Sequence, residues 1–201
     1  DAWKRIVALY LEMGALTWAE EAIAAGKLND PGYAMIASTR ARYGLPKGSS
    51  KVKPEQEGAL VAAIKQASAA IYANKFAEAH KAFDAIDKKW PGSPGALAFR
   101  CDLAMREGAI GSAKGYCNKA LALDPDESWA NYLSGVLALR DTSAAGTKAG
   151  VEKLKWAIVV DPDLGQAWRA LAKAYIRAKD EAALQKLSQE YAAKFGTPLP
   201  Q

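Results

Sequence analysis

The side chains able to do chemistry are few and scattered. His80 is the sequence's one histidine, which excludes a multi-histidine metal centre. Cys101 and Cys117 are its two cysteines, and a spacing of sixteen gives neither a Cys-x-x-Cys redox pair nor a zinc ribbon. Acidic residues gather at Asp124-Pro125-Asp126-Glu127 and at Asp161-Pro162-Asp163. Each group stands between two apolar-periodic stretches, where a carboxylate caps the following helix rather than holding a metal. No Gly-rich phosphate loop, Gly-x-Ser-x-Gly elbow, His-Glu-x-x-His motif or calcium loop occurs. With no nucleophile set beside a base, the expected function is non-catalytic, with neither cofactor nor metal.

The elements that position these residues read as helices. Of 201 residues, 50% are hydrophobic and 24% charged, the balance of a globular chain long enough to bury a sizeable core. The net charge of +5 is too small on its own to argue for nucleic acid. No apolar run reaches the roughly 18–20 residues of a membrane span. Alanine, leucine and lysine dominate, so helix propensity is high almost throughout. Strong breaks fall at Asp30-Pro31, Trp90-Pro91-Gly92, Asp124-Pro125 and Asp161-Pro162. Weaker ones at Gly14, Asn74, Gly108 and 142–147 lie between them. The alternation of helix, short turn, helix and proline describes stacked hairpins.

A period runs through these breaks. Pro91 and Pro125 are 34 residues apart, and Pro125 and Pro162 are 37 apart, with three extra residues in the turn of the hairpin between them. Ala120, Ala113, Gly108 and Cys101 precede Pro125 at the offsets at which Ile86, Ala79, Asn74 and Ala67 precede Pro91. Gly26, Ala19, Gly14 and Val7 precede Pro31 at the same offsets. Small residues at these places let the helices of a hairpin approach to about 8–10 Å. Glycine or asparagine at the bend accepts a left-handed backbone.

On these residues the chain resembles the tetratricopeptide repeat family. The first unit carries Trp3, Tyr10, Gly14, Ala19 and Pro31, and the second Asn74, Phe76, Ala79, Phe83 and Pro91. Gly108, Ala113, Ala120 and Pro125 mark the third, and Gly135, Gly150, Ala157 and Pro162 the fourth. Trp168, Leu171, Ala172 and Tyr175 open a fifth. The expected fold is all-α, a solenoid of about five antiparallel hairpins with an irregular break near residues 44–54. The expected division is a hairpin plus one extra helix over 1–45, a basic polar linker over 46–54, an array of about four repeats over 55–196, and a tail over 197–201. Within this register Cys101 lies on a first helix and Cys117 on the second, both turned inward and near one another. They read either as small buried hydrophobes or as a disulfide stapling the hairpin.

First helices line the concave side of such a solenoid. Their unpacked positions are Trp129, Tyr132, Val136 and Leu139 after Pro125, and Gln166, Arg169, Lys173 and Arg177 after Pro162. After Pro91 they include Phe99, Asp102, Met105 and Arg106. An aromatic patch beside a basic stripe suits a segment with acidic and apolar residues. The candidate contacts are therefore Trp129, Tyr132, Val136, Arg169, Lys173 and Arg177. Arg106, Arg140 and Arg177 recur near the ends of first helices and read as caps on helix carbonyls.

The resemblance implies a scaffold or adaptor that binds another protein during assembly of a larger complex. The alternative is a targeting or regulatory arm of a larger enzyme. The lysine and asparagine set with which some family members clamp a terminal carboxylate is not present, since Lys4, Ala8, Gly95, Phe99 and Leu133 stand at those places. Nucleic acid could be met by Lys47, Lys51 and Lys53 together with the basic stripe, but the linker lysines have no interleaved aromatics, and nucleic acid is accordingly not expected as a partner. The cysteine pair and the start without methionine lean toward an exported, periplasmic protein, with the cytoplasm as the alternative.

Overall fold

The computed structural model describes residues 2–45 and 52–200. Lys47 and Lys51 of the linker lie outside the described residues. Among those described there are eleven α-helices and no strand: α1 (Ala2–Glu12), α2 (Leu16–Gly26), α3 (Ala34–Tyr43), α4 (Glu57–Tyr72), α5 (Phe76–Lys89), α6 (Pro94–Arg106), α7 (Ile110–Leu123), α8 (Ser128–Ala138), α9 (Ala144–Val160), α10 (Gly165–Ala178) and α11 (Glu181–Phe195). None is long and apolar enough to cross a membrane.

Local chemistry sets where the helices begin and end. The Ser93 hydroxyl accepts from the Ala96 N–H at 3.3 Å, and Pro94 follows at the first helical position of α6. Ser143 caps α9 through the Gly146 N–H at 3.0 Å, and Asp180 caps α11 through the Ala183 N–H at 3.0 Å. The bends at Gly14, Asn74 and Gly108 have φ of 68°, 57° and 77°, the left-handed conformation that ends a first helix. In the last hairpin Lys179 occupies that conformation instead.

Helices α4 to α11 pair as four hairpins, and the hairpins stack. The first helices α4, α6, α8 and α10 touch one another in series, whereas no comparable packing joins α5, α7, α9 and α11. The layer of first helices is therefore the tight, inner side of an α-solenoid. Ala67, Ala79, Ala113, Ala120 and Ala157 are fully buried or nearly so, at the close approaches their size allows. Cys101 and Cys117 form a disulfide that ties α6 to α7, with Cα atoms 5.4 Å apart, and both are buried. The structure thus has the pair bonded, not as two separate small buried hydrophobes.

The N-terminal elements depart from the stack. Hairpin α1–α2 meets the array where α4 begins: the Thr17 N–H and hydroxyl donate to the buried Glu57 carboxylate at 2.9 and 2.7 Å. Helix α3 then runs along the edge where the first helices begin, against α6, α8 and α9. Buried Arg40 binds it back to Glu20, Thr17 and Glu57. Arg42 reaches Asp161, a fully buried carboxylate ahead of α10, with Nε at 2.8 Å and Nη2 at 2.7 Å. The second acidic cluster is thus a mooring for α3, whereas in the first Glu127 caps α8 by accepting from the Ala130 N–H.

Candidate binding face

The inner face is built on a ladder of rings. Tyr43, at the end of α3, stacks on Phe99 of α6 at 6.3 Å between ring centroids. Phe99 stacks on Trp129 of α8 at 5.5 Å, and Trp129 meets Tyr132 at 5.0 Å. This packing corrects the expectation for Trp129, which is 5% exposed and forms the floor of the face rather than a contact surface. Tyr132 and Val136 are half-buried beside it, while Arg169, Lys173 and Arg177 are exposed on α10.

The cations take different roles. Arg177 donates from Nη1 to the Leu139 carbonyl at 3.2 Å, so it caps the neighbouring first helix. Arg140 lies exposed by a cleft of about 640 Å3 on the outer side, with Lys114, Asn118 and Asp141. Arg106 does not act as the expected cap. Its Nε donates to Asp102 Oδ1 at 3.0 Å, and its guanidinium carbon stands 5.0 Å from the centre of the Tyr72 ring. Arg169 and Lys173 flank a small cleft that Leu199 and Pro200 of the tail help to line.

Charge is distributed unevenly between the layers. Along α4, α6, α8 and α10 the carboxylates are Glu57 and Asp102, and both are buried. The exposed cations of the same helices are Lys65, Arg106, Arg169, Lys173 and Arg177. Lys65 Nζ lies 5.6 Å from the Tyr43 ring centre. Burial pushes the Asp102 carboxyl up, against the opposing pull of Arg106. Burial, and then the Asp102 charge, push the Tyr72 hydroxyl up to about 12. The Tyr132 hydroxyl is raised for the same reasons in the same order.

The sequence reading missed Tyr43, Lys65 and Tyr72 as members of this face. Tyr72 and Arg106 are 34 residues apart and so share one position of the repeat, a signal that could have placed them together. Among the described residues no group of three or more His, Cys, Asp and Glu is placed to hold a metal ion.

These features define a tetratricopeptide-like α-solenoid with an electropositive inner face. No protein-family model matches the chain, and no curated protein does. Its fold is similar to that of the human IFIT1 dimer with PPP-AAAA, at TM-score 0.54 and 16% identity over 94% of this chain and 45% of that one. The human IFIT1 dimer with m7Gppp-AAAA matches at TM-score 0.54 and 15% identity, over the same shares. The chain thus spans under half the length of these structures, and identity at this level shows the fold alone.

One expectation is overturned by this comparison. Nucleic acid was excluded as a partner on the composition of the linker. Yet these two solved structures of the same fold are with nucleic acid, so the exclusion is withdrawn.

Proposed function

We propose that this chain is a non-catalytic scaffold whose inner face takes an extended partner segment bearing carboxylates and apolar side chains, in assembly of a larger complex. The observation that carries this reading is the sign of the exposed charge: every exposed ionic group on α4, α6, α8 and α10 is a cation. Half-buried Tyr132 and Val136 lie between the cations of α6 and α10, and they supply apolar contact.

A second reading is single-stranded RNA. It is favoured by half-exposed Tyr72 and Tyr132 beside Arg106 and Arg169, because rings for stacking with cations for phosphate are what such strands use. The two neighbours with nucleic acid support the same chemistry.

The test is capture from source lysate with wild-type protein and the folded double variant Arg169→Glu/Lys173→Glu. Bound protein is read by mass spectrometry and crosslinked RNA by sequencing. A protein held by wild type and lost by the variant supports the scaffold reading. RNA lost in its place would favour the second, and a partner held equally by both would move recognition off the inner face.

A further inference from the structure

We infer that Arg106 is a preorganised anchor for a single carboxylate of the bound segment, and that Asp102 and Tyr72 hold it in position. The inference rests on the scaffold reading and names the place where that segment is fixed.

Arginine recognises a carboxylate best when its planar guanidinium is already oriented, because the rotamer entropy is then spent before binding. Arg106 is held in two directions. Asp102 takes the Nε–H at 3.0 Å, and the Tyr72 ring lies against the guanidinium at 5.0 Å. Among the described residues neither Nη nitrogen has a partner, while the side chain is 39% exposed. The Nη donors are thus free for two parallel hydrogen bonds to an incoming oxyanion.

The support behind the arginine is built rather than incidental. The Asp102 side chain is 7% exposed, and its Oδ2 is buried with no hydrogen-bond partner. Burying a carboxylate this way costs stability unless a charge compensates it. A solvated i,i+4 pair would leave both partners free to move, whereas this acid is fixed by its surroundings and fixes the arginine in turn. Tyr132 stands near both Asp102 and Arg106, so an apolar side chain next to the bound carboxylate finds a ring to cover it. An acidic residue within an apolar segment would use both groups, its carboxylate on the free Nη pair and its apolar neighbour on the ring.

The experiment is fluorescence anisotropy with three labelled probes. They are the peptide Leu-Ala-Glu-Leu-Ala-Glu-Leu-Ala-Glu-Leu, its Gln-for-Glu counterpart, and a ten-nucleotide oligoadenylate with a 5′ phosphate. The Glu peptide should bind at least tenfold more tightly than the Gln peptide. Arg106→Gln should remove that preference, and Arg106→Lys should restore only part of it, because an ammonium lacks the planar fork that presents two parallel N–H donors. Asp102→Asn should weaken the Glu peptide about threefold and leave the Gln peptide unchanged, a split that general loss of structure would not produce. Circular dichroism of each variant confirms folding.

If the Glu peptide keeps its preference in a folded Arg106→Gln, the anchor is wrong while the scaffold reading stands. If the oligoadenylate alone binds and Arg106→Gln abolishes it, the arginine reads phosphate and the carboxylate assignment fails. If none of the probes binds, both the anchor and the scaffold reading fall.

Discussion

Gly135 and Gly150 face each other where α8 crosses α9. A Cβ on Gly135 would stand 3.1 Å from the Gly150 carbonyl oxygen, and one on Gly150 would stand 3.0 Å from that of Gly135. The side chains of Leu154 and Leu139 close the same gap from either side, at 2.7 and 2.6 Å. The crossing therefore has no room for a side chain. Gly135→Leu should destabilise by about 1–3 kcal/mol through overpacking. Gly111 and Gly115 on α7 meet nothing within 4 Å, and either glycine to alanine should stabilise by about 0.5–1 kcal/mol. Denaturant melts of the three variants check both signs. An unchanged midpoint for Gly135→Leu would overturn this crossing.

That crossing was legible because small residues recur at fixed offsets and the repeat turns them toward each other. The placement of α3 was not legible. Its moorings, Arg42 on Asp161 and Tyr43 on Phe99, span 119 and 56 residues of chain and follow no period. Trp129 was placed on the inner side by its register, but burial there depends on Phe99 lying against it, which periodicity does not encode. The Asp102 and Arg106 pair has readable i,i+4 spacing, yet only the packing shows that the acid is buried and the base is not.

The edge on which α3 rests should be sensitive to one methyl group. A Cβ on Gly95 would stand 2.1 Å from the Tyr43 carbonyl oxygen, a backbone atom that cannot rotate away. Gly95→Ala should push α3 off the start of α6 and break the contact of Tyr43 with Phe99. Hydrogen exchange of residues 34–43 should rise well above wild type. Protection equal to wild type would mean that α3 is held elsewhere.

Stability should fall as pH rises because of Glu127. This carboxyl is fully buried, and desolvation raises it well above 4.5, with Asp124 and Asp161 adding to the rise against the N–H donors of Ala130 and Trp129. The folded chain therefore holds a proton that the unfolded chain has released. The linkage slope is negative from about 4.5 up to the folded pKa. Glu127→Gln keeps an oxygen for the Ala130 N–H and removes the titration. Its melting temperature relative to wild type should be higher at pH 8 than at pH 4. A gap that does not widen with pH would show that Glu127 ionises freely in the fold.

The disulfide closes a loop of 16 residues, for which lost chain entropy in the unfolded state is worth about 3 kcal/mol. Reduction under mild denaturant should lower the unfolding free energy by that order without loss of helix content at low temperature. Cys101→Ala/Cys117→Ala should behave as the reduced protein does. If the oxidised and reduced forms melt together, the bridge adds nothing to the fold.

Trp129 and Lys173 should separate stability from recognition. Trp129 is packed between Phe99 and Tyr132, so Trp129→Ala removes a ring from the floor and should cost about 3–5 kcal/mol. Lys173 is exposed, and Lys173→Glu should change stability by no more than about 0.5 kcal/mol. The same reversal places a carboxylate among cations that attract the partner, so capture of an acidic segment should fall while the melting curve stays put. The contrast is decisive because the two residues share one face but differ in what covers them. A Trp129→Ala protein that melts as wild type yet loses its partner would return the indole to the contact surface.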